Sequence, residues 1–141
     1  MITLVSIFLS LAFLLLSALH LYWGFGGKWG KDAAIPTRAD NSRVFSPGSL
    51  ATFLVGIGLL AIGIFILVKA KFITISIPYF LDKFGLWIIG LLFIGRAVGE
   101  FNYVGFFKKI RSTKFGQNDT KYFSPLCMII GILTIILAIN R

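Results

Sequence analysis

An all-α bundle of four membrane-spanning helices, built from two hairpins, is the fold class this sequence predicts. Three observations carry it. Hydrophobic residues make up 57% of the 141 residues and charged residues 13%, whereas a soluble domain has roughly 45–50% and about 25%. Mean hydropathy is +0.92. The apolar residues gather in four stretches, at about 2–25, 48–68, 80–107 and 124–139, close to the ~20 residues a helix needs to cross hydrocarbon. The basic residues fall almost entirely between them. A barrel is excluded because this pattern cannot close one. Residues 1–141 read as a single integral membrane domain.

Each element has its own justification. The first stretch opens Met1-Ile2-Thr3 without a basic leader and lacks a small-x-small cleavage site, so it is expected to be a retained span rather than a signal peptide. Gly26-Gly27-Lys28-Trp29-Gly30 lets the chain turn sharply at headgroup level. It is no phosphate loop, because it follows a helix and not a strand. Ser46-Pro47 and Ser124-Pro125 place a capping serine before a proline suited to the first helical position. Spans two and four are therefore expected to begin there, with their positive dipole ends at the same interface. Residues 73–78 alternate apolar and polar, predicting an extended connector stopped by Pro78. Gly95-x-x-x-Gly99 on span three, with Gly56, Gly58 and Gly63 on span two, predicts close helix approach.

The net charge of +9 would point to nucleic acid in a soluble protein. No zinc-finger, RRM-like or helix-turn-helix pattern accompanies it, so the expected partner is a bilayer with anionic headgroups. Loops 26–47 and 108–123 carry nine Lys and Arg against four on the opposite side. That bias puts both loops in the cytoplasm and both termini outside. Tyr22, Trp23, Trp29, Tyr79, Trp87, Tyr103 and Tyr122 sit near span ends, as interfacial aromatic belts do.

Several chemistries are excluded by count. One cysteine, Cys127, makes no intrachain disulfide, Cys-x-x-Cys motif or iron–sulfur site. One histidine, His20, rules out bis-His haem ligation, and the two together cannot supply four zinc ligands. No metal, cofactor or catalytic set is expected. Cys127 reads as a small packing residue.

Tyr22-Trp23-Gly24-Phe25 followed by Phe45-Ser46-Pro47 corresponds to Tyr103-Val104-Gly105-Phe106 followed by Phe123-Ser124-Pro125. Both hairpins run in the same direction, so a repeat would be parallel. Chance among abundant Phe and Gly is the competing reading.

Polar residues converge at one depth. At about 1.5 Å per residue, His20 lies roughly 27 Å along span one, and Arg96 and Glu100 roughly 24 and 30 Å along span three. Asn102 and Tyr103 follow within a turn, and Trp23 within a turn of His20. Arg96 and Glu100, spaced i,i+4, would share a helix face. They read either as a self-neutralising pair or as a pocket in which Arg96 meets an anionic group and Glu100 orients it. His20 reads either as an interfacial residue bonded to a backbone carbonyl or as a proton carrier. The candidate ligand-binding residues are Arg96, Glu100, His20, Tyr103, Asn102 and Trp23.

His20-x-Tyr22-Trp23, Gly26-Gly27-x-Trp29-Gly30, Ile35-Pro36 and Arg96-Ala97-x-Gly99-Glu100, then Val104-Gly105-Phe106-Phe107-Lys108 and Asp119-Thr120 through Ser124-Pro125-Leu126-Cys127, together resemble a bacterial family. It is an uncharacterised family of small four-span membrane proteins, catalogued as a domain of unknown function. The resemblance covers nearly the whole chain. It implies the bacterial cytoplasmic membrane and no particular reaction. Members often carry Asp where this chain has Glu100.

The leading expectation is therefore a protein that binds or transports a small anionic or amphiphilic ligand at a polar site in the cytoplasmic half. The alternative is a structural, accessory or immunity-type interaction protein. An enzyme ranks last, because no nucleophile–base arrangement accompanies His20 and Glu100. Oligomeric state is not legible.

Overall fold

A computed structural model describes residues 1–141. Helix α1 spans Ile2–Gly24, and a single turn, α2, spans Lys31–Ala34. Helices α3 and α4 span Ser49–Lys69 and Tyr79–Val98. The short α5, Lys114–Asn118, runs through a widened π turn at Asp119–Phe123 into α6, Ser124–Ile139. There is no sheet beyond an isolated bridge between Thr37 and Arg43.

α1 packs along α3, α4 along α6, and α1 touches α6. The core is Leu9, Phe13, Leu59, Ile66, Leu86, Phe93, Ile130 and Leu137. Phe13 and Phe93 meet edge to face at 5.2 Å across the two hairpins. The outward faces invert the pattern of a water-soluble bundle. Leu15, Leu50 and Leu91 are exposed, whereas Ser6, Ser10, Ser17 and Thr134 are buried. Lipid is as apolar as leucine, so burying leucine gains little there. In lipid, close backbone approach and interhelical hydrogen bonds would hold such helices instead. Ser17 Oγ donates to the Gly56 carbonyl at 2.7 Å and Ser10 Oγ to that of Gly63 at 3.3 Å. Such bonds contribute about 0.6 kcal/mol each.

Three helices are long and apolar enough to cross a membrane: Ile2–Gly24, Ser49–Lys69 and the continuous Lys114–Ile139. α4 carries Asp82, Lys83 and Arg96 within its length. Its uninterrupted apolar run is residues 84–95, about 18 Å of helix.

Several sequence expectations change. Span three does not continue to residue 107. Gly99 takes φ +85°, which no right-handed helix propagates, and residues 99–113 form a packed loop whose Phe101, Val104, Phe106 and Phe107 mimic a continued span. Arg96 and Glu100 therefore share no helix face. The helical segment of span four starts at Thr113, whose Oγ1 accepts from Gly116 N at 2.9 Å, and not at Ser124. Pro125 cannot donate to residue 121, and its ring crowds that carbonyl. The π turn immediately before it absorbs the mismatch. At the start of α3 the cap is Gly48 rather than Ser46. Phe45-Ser46-Pro47 is non-helical while Phe123-Ser124-Pro125 is helical, so the two motifs of the proposed repeat take different conformations. Gly95 has open space around it, and the α4–α6 crossing is made by Gly90 against Gly131.

Candidate functional site

The polar residues of the loop-rich end separate into a buried knot, a capped loop and a cavity. Asp119 is the centre of the knot. It lies in the first position of the π turn and has no exposed surface. Its Oδ1 accepts from Arg96 Nη2 at 2.7 Å. Its Oδ2 accepts from Gly105 N at 2.8 Å, Ser124 Oγ at 3.0 Å and Lys108 Nζ at 3.1 Å. One carboxylate thus ties the last turn of α4, the 99–113 loop and the start of α6 together.

Lys108 is 1% exposed, and its ammonium also donates to Gly105 O at 3.0 Å and Thr120 Oγ1. A lysine buried this deeply is stable only when its charge is met, and Asp119 meets it. Arg96, in the last turn of α4, also faces the partial negative charge of that helix end. Gly105 makes the knot feasible. Its φ is +92°, and a side chain there would collide with the Val98 carbonyl oxygen and Gly99. Phe106 N closes the same approach by donating to Ala97 O at 2.8 Å.

Glu100 is not part of the knot. It is exposed, and its Oε1 accepts from the backbone N–H groups of Asn102, Tyr103 and Val104. Desolvation opposes its charge, but these three donors outweigh it and hold the carboxyl below its ordinary range. Asn102 serves through its backbone carbonyl, which accepts from Lys109 and Ile110. Tyr103 contributes the N–H given to Glu100.

His20 and Trp23 lie elsewhere, lining a cavity of about 320 Å³ between α1, α2 and the start of α3. Ile35, Phe45, Pro47, Ala51 and Val55 make it apolar, and Lys31, Thr52 and His20 supply polar groups. The Trp23 indole donates to Trp29 O at 2.7 Å and stands edge to face with His20. His20 Nδ1 meets Leu16 O at 2.8 Å, the carbonyl-bonded arrangement of the first of its two readings. A carbonyl only accepts, so Nδ1 is the donor of this bond, and Nε2 is the ring nitrogen left to face the cavity. α2, on one wall of the cavity, packs on α5, the turn that leads into Asp119.

Sequence reasoning marked Arg96 and missed its partner. Asp119 stood within the family motifs, Lys108 there and among the loop's basic residues, and Ser124 read as a cap. A signal existed: Asp119 is the only acid in the basic run 108–121, immediately ahead of an apolar helix. No three His, Cys, Asp or Glu side chains come together as metal ligands.

A family model described as "Protein of unknown function (DUF3995)" matches residues 13–134. No curated protein and no solved structure matches the chain.

Proposed function

The chain belongs to that DUF3995 family of proteins of unknown function, and we propose that it is a four-span membrane protein holding an acidic amphiphile in the cavity between α1, α2 and α3. The observation that carries this reading is the cavity's lining, an apolar chamber with one cation, Lys31, and the His20 imidazole. The apolar walls take the tail of a ligand, and Lys31 takes its acidic head. His20 Nε2, the ring nitrogen not bonded to Leu16 O, hydrogen-bonds that head. Trp23 forms the aromatic wall.

In this reading α4 crosses the bilayer with Asp82 and Lys83 at one headgroup level and Arg96 at the other. Its charges lie at its ends, where long side chains reach water. The nine basic residues of the two larger loops favour the cytoplasmic side for the cavity, and the family resemblance supports a bacterial inner membrane. Glu100, Asn102 and Tyr103 shape the loop that supports Asp119, and so act on the ligand indirectly.

Brominated dodecanoic acid tests the cavity. In a Trp29→Phe/Trp87→Phe background, Trp23 is the only indole. Saturable quenching is expected, weakened by Lys31→Ala and blocked by Ala51→Phe, which fills the chamber. Quenching that never saturates, or that ignores Ala51→Phe, would remove the cavity as the site.

A further inference from the structure

We propose that the Arg96 end of the buried knot is a second ligand site, one that takes an oxyanion of the phosphate class. The argument starts from charge. The knot holds two cations, Arg96 and Lys108, and one carboxylate, Asp119. It carries one net positive charge at the loop-rich end of an apolar bundle.

That charge has only one outlet. Both oxygens of Asp119 are engaged, Oδ1 by Arg96 and Oδ2 by three donors. The three ammonium protons of Lys108 are matched by Gly105 O, Asp119 Oδ2 and Thr120 Oγ1. Arg96 is different. Its Nη2 holds Asp119, but Nη1 is shielded from solvent and bonds to nothing. Buried polar groups are rarely left this way, because losing water without gaining a partner is costly. Arg96 is also the only member of the ion-paired set with exposed surface, at 30% of its side chain against none for Asp119 and Lys108. The excess charge, the unmatched donor and the route from outside thus meet on one guanidinium.

The geometry of that group selects the ligand. A guanidinium offers adjacent N–H groups in a plane, the arrangement that phosphate oxygens accept. Lys109 and Arg111, exposed on the same loop, raise the local positive potential and draw anions to it. The phosphate belongs either to a lipid headgroup, since Arg96 ends a helix at the expected headgroup level, or to free inorganic phosphate. Arg96 does not line the amphiphile cavity, so this site stands or falls separately from it.

The test is ³¹P NMR of the detergent-purified chain, titrated in one arm with inorganic phosphate and in the other with short-chain dihexanoyl phosphatidylglycerol. Saturable line broadening is expected in at least one arm. Broadening by the lipid alone assigns a headgroup, and by phosphate alone a free ion. Arg96→Lys keeps a cation for Asp119 but removes the second guanidinium nitrogen, and should weaken the interaction at least tenfold. Ala51→Phe, which fills the cavity, should leave it unchanged. No saturable broadening in either arm, full binding by Arg96→Lys, or loss in Ala51→Phe would each overturn the proposal. Should Arg96→Lys fail to fold, the ¹⁵N-labelled arginine side chains of the wild type decide instead. The Arg96 guanidinium signal must move saturably with the ligand, and a static signal overturns the site.

Discussion

The Arg96 guanidinium and the Asp119 carboxylate, 23 positions apart, are joined at 2.7 Å, and this bond fastens the last turn of α4 to the turn that leads into α6. Asp119→Asn keeps the shape but removes the charge, leaving Arg96 and Lys108 uncompensated. Breaking a buried pair of this kind costs about 3–5 kcal/mol. Thermal unfolding in detergent should show a large drop in midpoint. An unchanged midpoint would mean that the knot contributes no net stability.

Two glycines should behave in opposite ways. Gly105→Ala forces a side chain into a left-handed backbone against the Val98 carbonyl, and should lose about 1–3 kcal/mol. Gly58 lies in α3 with open space around it, so Gly58→Ala should be neutral or gain up to about 1 kcal/mol from helix propensity. Unfolding of both variants under the same conditions checks the pair, and equal losses would contradict the loop geometry.

Glu100 gives the loop an acid sensitivity. Its carboxyl is held below its ordinary value of 4.5 by backbone donors that outweigh desolvation. The sign follows from a lower pKa in the folded chain than in the unfolded one. The stabilisation is present above 4.5 and is lost as pH falls through the folded value beneath it. Protection of the Tyr103 and Val104 backbone N–H groups from hydrogen exchange, measured against the intrinsic rate at each pH, should therefore fall below pH 4.5 in the wild type. In Glu100→Gln that protection should already be reduced at neutral pH.

The span count separates by labelling. In a Cys127→Ser background, cysteines introduced by Asp40→Cys and Lys114→Cys should react with an impermeant maleimide from one side, and Thr74→Cys from the other. If α4 stays out of the bilayer, position 114 joins position 74 instead.

Composition alone determined that the chain is helical and suited to a membrane, because polar surface is too scarce to cover a water-soluble globule. The extents of α1 and α3 were legible from hydropathy to within a residue or so, since each long apolar run is bounded by polar or glycine-rich chain. The depth argument placed Arg96 and His20 at one end, because rise per residue is constant along a helix. What lay beyond sequence was decided by partners distant in the chain. Gly99 ends α4 with its backbone packed against Gly105, a contact between two backbones that no side-chain pattern records. Glu100 turned to its own loop and not to Arg96, because the helix that would have aligned them had already stopped. Asp119 became the centre of the site because the π turn ahead of Pro125 and the fold of the 99–113 loop bring it four donors at once. An ion pair is a statement about distance, and distance across a bundle belongs to the tertiary structure.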